Sequence, residues 1–357
     1  MNNYVPFLKF KSNEIGALAT LAPDLQAKTF PFLDLPKKEG MNEGAFLQLV
    51  AKTERAYKTH LKSFPAFFLD NFDIDDTIKV GGQENYSAVI DKFGVYQKFI
   101  PVIGLDRPEA RNELIFQAKA DGRISSQNIA IRLQYEDFQS FGAIEEDLKN
   151  LQIRGGGLFD YWTMVLDNRV CINIDTDQRS NLIKRFLQHA TAKLKIHAVI
   201  LAGSSFPASI SEVMKVNSEI NHPRQELSVY RSVFQAALHP SVHLGDYTIV
   251  SPLYSDATIP AEAMQNVIAA KTIYTHGDVH YVARGGALKT HSSGRLQYND
   301  IAAKIIAQPF YRGANYSHGD NFLHQKAQMQ GSGVTPGSIL KPTINAHITY
   351  MLRDFPG

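Results

Sequence analysis

Short apolar runs recur along this chain, and each stops abruptly at a polar residue before a stretch with helical character. The runs are rich in β-branched and aromatic residues, as expected of strands buried on both faces of a parallel sheet. In chain order, the polar residues that close them are Asp34, Asp70, Asp106, Arg132, Asp167 and the triplet Gly203-Ser204-Ser205. A polar residue at the carboxyl end of each strand is typical of the site of a (β/α)8 barrel.

We therefore predict an α/β protein with a TIM-like (β/α)8 barrel in residues 1–255 and a C-terminal α+β subdomain in residues 256–357. The predicted strands are Tyr4–Phe10, Thr29–Leu33, Ala66–Leu69, Phe99–Leu105, Asn128–Leu133, Tyr161–Leu166, Ile196–Ala202 and Val242–Val250. A doubly wound open sheet is the alternative fold. The chain has no GxGxxG turn after its first strand, which disfavours that alternative.

The pattern changes after residue 255. A helix is predicted over Ala261–Ala270, a hairpin from Lys271–Thr275 and Val279–Ala283, a helix over Tyr298–Ile306, a polar Gly-rich stretch from Tyr311 to Gly337 and a last strand over Asn345–Met351. A closed barrel has no free edge to which these strands could be added. We expect the segment to form its own subdomain, packed over one mouth or flank of the barrel.

Composition restricts the class of protein. The chain has 357 residues, 37 basic and 35 acidic, and a net charge of +2, so its total charge does not point to nucleic acid or membrane. A basic cleft remains compatible with this balance, because local fields do not need a basic total. The single cysteine, Cys171, excludes an internal disulfide and is expected to be inert core. Without a signal-peptide pattern or a membrane-spanning apolar run, we expect a cytoplasmic protein with no membrane partner.

The carboxylates that close the strands are the first candidate site. If the predicted register is right, Asp34, Asp70, Asp106 and Asp167 all point into one bowl, with Arg132 among them. Such carboxylates could hold Mg²⁺ or Ca²⁺ through oxygen ligands, or act as acid and base once mutual repulsion raises one pKa. The alternative is that each Asp caps the next helix or accepts hydrogen bonds from loop amides.

Further candidates lie at other strand ends and in the C-terminal segment. Ser204 and Ser205 could donate to a phosphate, as loops after the seventh and eighth strands often do in such barrels, or could form a plain tight turn. The remaining candidate ligand-binding residues are Lys9, Lys11, Asp246, Tyr247 and Arg284. The triplets beginning at His276 and His318 are explained more simply as turns than as metal ligands.

Several motifs also resemble a known family. They are Tyr4–Lys11 with Asn13-Glu14, Pro31–Pro36, Tyr274–His280, Val282–Gly286, Arg312–Asp320 and Asn345–Thr349. In this order they resemble the "beta protein" family of phages and bacteria, with departures at His318 and Ala346. The resemblance implies a protein encoded by a phage or mobile element and tied to phage–host conflict. Related barrel proteins accompany nuclease-like partners, which is an association and not a mechanism.

Two functions are therefore expected from different classes. In the first, the barrel mouth binds a phosphate-bearing ligand, a nucleotide or nucleic acid, and hydrolyses a phosphoester with the help of a metal. In this scheme Lys9, Lys11 and Arg132 neutralise phosphate and the aspartates provide metal ligands or the base. In the second, a non-catalytic barrel recognises its target and acts through a protein partner.

Overall fold

The computed structural model describes residues 4–238, 240–254 and 268–355. Eight parallel strands close into a barrel, which confirms the predicted fold. The barrel strands are β1 (Tyr4–Lys9), β2 (Phe32–Asp34), β3 (Phe67–Asp70), β6 (Phe99–Gly104), β7 (Asn128–Gln134), β8 (Tyr161–Val170), β9 (Ala198–Ser204) and β11 (Val242–Asp246). Their spatial order around the barrel is β1-β11-β9-β8-β7-β6-β3-β2. All eight predicted strands are present, although β2 begins three residues later than predicted and β11 ends before Tyr247.

Helices connect most of the barrel strands and cover the outside of the barrel. They are α1 (Ser12–Ala19), α2 (Pro23–Gln26), α3 (Glu43–His60), α4 (Tyr86–Phe93), α5 (Glu109–Ala120), α6 (Phe141–Gly155), α7 (Thr176–Lys193) and α8 (Gln225–Phe234). Side chains cap two of the long ones: Asn42 accepts from the backbone of Ala45 at the start of α3, and Asp175 accepts from Asp177 and Gln178 at the start of α7. A small ribbon of β4 (Lys79–Val80) and β5 (Gln83–Glu84) precedes α4.

An apolar layer fills the barrel interior. Phe7, Phe32 and Phe68 stack in sequence across three neighbouring strands, with ring centroids 4.4 and 5.3 Å apart. The space beside Phe7 requires a glycine on β11, because a Cβ at Gly245 would lie 2.6 Å from the Phe7 ring. The layer is thus packed with side chains, and any site must lie above it.

The C-terminal elements form a separate sheet and a group of helices. The sheet has the antiparallel order β10 (Ser218–Pro223), β13 (Val279–Ala287), β12 (Ala269–His276), and the helices are α9 (Gln297–Ile306), α10 (His318–Ala327) and α11 (Leu340–Arg353). The predicted hairpin is confirmed, with Gly277 in the turn at a φ of +49°. Its partner β10 was not predicted. This strand lies between β9 and α8, so a segment from the barrel half of the chain completes the C-terminal sheet.

Two predictions for this region are wrong and one lies outside the described residues. Asn345–Met351 is not a strand but part of α11, in which Ile344, Ile348 and Met351 recur at the helical spacing and are buried. The stretch from Tyr311 to Gly337 contains α10, whose start is capped by Ser317. The predicted helix over Ala261–Ala270 falls largely on residues 255–267, which are not described, while Ala269 and Ala270 begin β12.

The packing of α10 on α11 depends on the absence of a side chain at Gly319. A Cβ there would lie 1.9 Å from the carbonyl oxygen of Pro342 and 2.8 Å from the Cβ of Ala346, both in α11. We expect Gly319→Ala to force the helices apart and destabilise the protein by about 3 kcal/mol. Gly142, at the same position in the first turn of α6, has nothing within 4 Å of its virtual Cβ.

Gly142→Ala is therefore the matched control, and its higher helix propensity should stabilise the protein slightly. Thermal unfolding followed by circular dichroism compares the two variants with the parent protein. Equal midpoints for Gly319→Ala and the parent would refute the close approach of α10 and α11.

Candidate functional site

The alternation of side chains along the barrel strands places a polar layer directly above the apolar one. In a strand, the side chain two positions after an inward-facing residue also faces inward. Phe32 is followed in this way by Asp34, Phe68 by Asp70, Ala130 by Arg132 and Val165 by Asp167. The polar layer is therefore a direct result of strand geometry and lies at the carboxyl end of the barrel.

Arg132 is the centre of this layer and is fully buried. Its Nη1 donates to Asp34 at 2.7 Å and to Asp70 at 3.0 Å, and its Nη2 donates to Asp167 at 2.7 Å and to the hydroxyl of Tyr247 at 2.8 Å. Its Nε also donates to Asp167, at 3.1 Å. Tyr247 in turn donates to Asp167 at 2.6 Å. Each nitrogen of the guanidinium thus has an acceptor. We call Arg132, Asp34, Asp70, Asp167 and Tyr247 the arginine hub.

Two further arginines complete the surroundings of Asp70. Arg107 donates to one of its oxygens at 2.6 Å and Arg111 to the other at 2.8 Å. The ring of Phe72 lies beside three guanidinium groups, with centroid distances of 5.0 Å to Arg107, 4.5 Å to Arg132 and 4.7 Å to Arg169. Cation–π contacts with Phe72 therefore stabilise these arginines in addition to their ion pairs.

The carboxylates of the hub differ in their acidity. Burial raises the pKa of the Asp34 carboxyl to about 6, even though the neighbouring Arg132 favours its ionised form. Burial acts in the same direction on Asp70, but Arg107, Arg111 and Arg132 outweigh it and hold its pKa at about 2. At neutral pH both are ionised, and three arginines face three aspartates.

Of the four predicted aspartates, the structure brings three together. Asp106 does not join Asp34, Asp70 and Asp167, because β6 ends at Gly104 and the chain has left the barrel by residue 106. Its side chain is 28% exposed and pairs with Arg107. The expectation that all four point into one bowl is wrong for this residue.

The carboxylate arrangement does not fit Mg²⁺. The guanidinium of Arg132 lies within 3.3 Å of oxygens from Asp34, Asp70 and Asp167, so one organic cation takes the central position that a metal ion would need. Within residues 4–238, 240–254 and 268–355, no group of three or more His, Cys, Asp or Glu side chains is arranged to hold a metal ion.

A cleft opens beside the hub, above the carboxyl ends of β1 and β2. It has a volume of about 910 Å³, which is the size of a small-molecule site. Lys9 and Lys11, which the sequence predicts to bind a ligand, border it. The other basic side chains in its lining are Lys37, Lys38, Lys52 and His60, and Glu14 is its acidic residue. We call this the lysine cleft.

Three ammonium groups of the lysine cleft gather around one aromatic ring. The Nζ atoms of Lys9, Lys37 and Lys11 lie 3.2, 4.9 and 5.2 Å from the centroid of Tyr254. Burial lowers the pKa of Lys9 to about 8, although Asp73, 3.9 Å from its Nζ, opposes this. In the part of the chain that the structure describes, Lys11, Lys37, Lys38 and Lys52 form no salt bridge.

A second buried network lies outside the barrel wall and joins it to the C-terminal elements. Gly245 and Tyr247 face inward, so Asp246 between them faces outward. It accepts hydrogen bonds from Tyr4 at 2.7 Å, Arg224 at 2.8 Å and His347 at 3.0 Å. Asp246 was predicted as a ligand-binding residue beside Tyr247, but the structure places the two in different networks. We call Asp246 with Tyr4, Arg224 and His347 the outer network.

The remaining predicted residues are engaged with protein atoms or lie elsewhere. Ser204 donates to the carbonyl oxygen of Val250 at 3.1 Å, and Ser205 donates to Glu226 and accepts from the backbone of Gln225. Arg284 lies on β13, in a different cavity from the lysine cleft. Cys171 is buried, which raises the pKa of its thiol to about 12.

Sequence reasoning missed part of the lysine cleft. Lys37 and Lys38 follow β2 directly after Asp34-Leu35-Pro36, so this pair of lysines at a predicted strand exit was an available signal. Lys52 lies on α3 and Tyr254 follows β11, and no local pattern connects them. Arg169 was also missed. It has a left-handed φ of +52°, and its Nη1 is buried with no hydrogen-bond acceptor in the described ranges.

The closed parallel barrel, with a polar layer and a basic cleft at the carboxyl ends of its strands, defines an α/β protein of the (β/α)8 class. Comparison with family sequence models identifies the group within this class. The chain belongs to the Beta protein family, whose model matches residues 4–353. The comparison with curated proteins gives no match. Among the described helices, none has the length and apolar character needed to cross a bilayer.

The ion pairs of the hub predict a specific response to acid. An aspartate whose folded pKa lies below its unfolded value stabilises the protein above pH 4 and loses this effect as the pH falls toward the folded pKa. The pKa of Asp70 is held at about 2, so its ionisation contributes roughly 2 kcal/mol at neutral pH, lost between about pH 4 and pH 2. Asp34, with a raised pKa, acts with the opposite sign between about pH 4 and pH 6.

We expect Asp70→Asn to lower the free energy of unfolding by about 4 kcal/mol at pH 7, because three arginines lose their shared partner. The difference from the parent protein should shrink as the pH falls to about 2. Urea unfolding at a series of pH values measures it, with Asp24→Asn as the exposed control. A difference that stays constant with pH would show that the charge of Asp70 has no part in stability.

Proposed function

We propose that this protein binds a phosphate-bearing small molecule, of the nucleotide class, in the lysine cleft at the carboxyl end of the barrel. The observation that carries the proposal is the gathering of the Lys9, Lys11 and Lys37 ammonium groups around the ring of Tyr254. Like charges held this close repel one another, and an anion placed among them would relieve the repulsion. Lys9 covers one face of the Tyr254 ring, and a base could stack on the other.

The charge of the surroundings supports an anionic ligand. The lining contains five lysines and one glutamate, and burial raises the pKa of that glutamate, Glu14, which favours its neutral form. The three aspartates of the neighbouring hub add no net negative charge, since Arg132 within the hub and Arg107 and Arg111 beside it offset them. Asp73 faces Lys9 from outside the lining, so the field inside the cleft is set mainly by Lys11, Lys37, Lys38 and Lys52.

We propose binding as the function, and not hydrolysis, because the carboxylates of the hub already accept hydrogen bonds from arginine. A general base needs an oxygen within reach of the attacking water, and Asp70 and Asp167 are fully buried beneath guanidinium groups. In this proposal the hub has a structural role: it holds Asp34 at the end of β2, and the residues that follow, Pro36, Lys37 and Lys38, line the cleft. The expected role in phage–host conflict and the expected protein partner, including a nuclease, stay predictions on which the ligand proposal does not depend.

Removing charge from the cleft should weaken binding of the probe ADP. We expect Lys11→Ala and Lys37→Ala each to lower the affinity roughly tenfold, because each removes a charge-assisted contact to phosphate. Isothermal titration calorimetry measures the affinity at two salt concentrations, and the dependence on salt should decrease in both variants. Lys28→Ala is the matched control, since this exposed lysine precedes β2 at the opposite end of the barrel. Equal affinities in all four proteins would contradict the proposal.

Lys9 gives the same site a dependence on pH. Its ammonium has a pKa of about 8 and loses its proton as the pH rises through this value, whereas ADP only becomes slightly more negative, since most of its terminal phosphate is already fully ionised at pH 7. We expect the affinity to fall roughly tenfold between pH 7 and pH 9.5, and Lys9→Met to bind weakly with little pH dependence. Titrations across this range test it. A parent protein whose affinity does not change with pH would exclude Lys9 from the site.

A further inference from the structure

A second cavity lies between the barrel and the C-terminal sheet. Its volume is about 390 Å³. It is bordered by the loop after β9, the segment after β11, one face of the C-terminal sheet and the start of α11. The apolar side chains in its lining include Phe206, Ile210, Ile249, Ile273, Ile339 and Leu340. Val250, Ser251 and Leu340 also border the lysine cleft, so they form the wall between the two spaces.

Two cations project from the sheet into this apolar space. Lys271 on β12 and Arg284 on β13 are directly opposite each other in the antiparallel register. On this face of the sheet, Ile273 and Val282 lie next to them in the core, so the cations occupy the end of an otherwise apolar surface. Like charges at opposite positions of neighbouring strands destabilise a sheet. A pair of cations at these positions therefore indicates a role other than supporting the fold.

The described part of the chain does not neutralise this pair. Across residues 4–238, 240–254 and 268–355, neither Lys271 nor Arg284 forms a salt bridge with a carboxylate. Arg284 donates from Nη1 to the carbonyl oxygen of Met214 at 2.7 Å, but its Nε is buried and has no acceptor there. Burial, followed by the charge of Arg284, lowers the pKa of Lys271 to about 8. Burial and the charge of Arg284 thus destabilise the protonated form of Lys271, and an anion bound beside it would stabilise that form.

We infer that this cavity is a second binding site, whose ligand is an amphiphilic monoanion with one carboxylate and an apolar body. The carboxylate would lie between Lys271 and Arg284, where a guanidinium can donate from Nε and Nη to both oxygens. The apolar body would fill the space lined by Phe206, Ile273 and Ile339. The chemistry of the lining argues against a nucleotide here, since the walls away from the two cations are mostly apolar.

The test uses the whole protein and decanoate as the probe. Calorimetry should show one decanoate bound, and 1-decanol, which lacks the charge, should bind at least tenfold more weakly. Lys271→Met should lower the decanoate affinity at least tenfold. Lys289→Met, which changes an exposed lysine beyond β13, should leave it unchanged. Equal affinities for decanoate and decanol, or equal affinities in the two variants, would overturn the inference.

Thermal unfolding separates a binding role for Lys271 from a structural one. Because Lys271 repels Arg284, Lys271→Met without ligand should unfold at the same temperature as the parent or at a higher one. A lower unfolding temperature would instead mean that Lys271 supports the fold, and would count against the site. Ala208→Phe, which narrows the cavity from the β9 loop, should also weaken decanoate binding, and unchanged binding there would argue against this location.

The two proposed sites are distinguished by exchanging the probes. Lys271→Met should bind ADP like the parent protein, and Lys11→Ala should bind decanoate like the parent protein. Failure of ADP binding alone would remove the proposed function and leave this inference intact. Loss of decanoate binding in Lys11→Ala would assign the carboxylate to the lysine cleft and overturn the inference.

Discussion

The charge of Arg132 is the constraint on which the rest of the barrel mouth depends. A buried guanidinium without partners would cost far more free energy than a domain has to spare, so its surroundings must provide acceptors on every side. They come from three other strands, β2, β3 and β8, and the pair with Asp34 spans 98 positions of the sequence. The hub can therefore form only when the barrel has closed, and it fixes which strands meet at the mouth.

One buried network lies inside the barrel wall and the other outside it, and the two stabilise different parts of the structure. The arginine hub closes the interior above the stacked phenylalanines. The outer network places His347 of α11 on Asp246 of β11, and so attaches the C-terminal helix to the strand that completes the barrel. Since Arg107, Arg111 and Arg132 offset the three aspartates of the hub, the unpaired positive charge that the structure describes at the barrel mouth lies on the lysines of the cleft, where a ligand can reach it.

The fold was predictable because continuous apolar runs and helix-like spacing repeat with little interruption as far as β11. The hub was half predictable: Asp34, Asp70, Arg132 and Asp167 close predicted strands, and period two places them inward. The same rule fails for Asp106, because β6 ends at Gly104 and side chains beyond the end of a strand no longer alternate between its two faces. The rule holds for Asp246, which lies between the inward-facing Gly245 and Tyr247 and therefore faces outward, so the grouping of Asp246 with Tyr247 in one site was wrong. Lys52 and Tyr254 meet only through tertiary packing.

The position of β10 has a consequence for the order in which the chain assembles. This strand leaves the ribosome before α8 and β11, yet its hydrogen-bonding partner β13 begins at Val279. Until that partner is synthesised, Ser218–Pro223 has neither edge paired, whereas in the finished sheet it pairs with β13 along one edge. Pro223 and the charged Glu219 are residues that discourage pairing with foreign strands. The strand itself thus contains residues that disfavour pairing with other chains during the interval before β13 is synthesised.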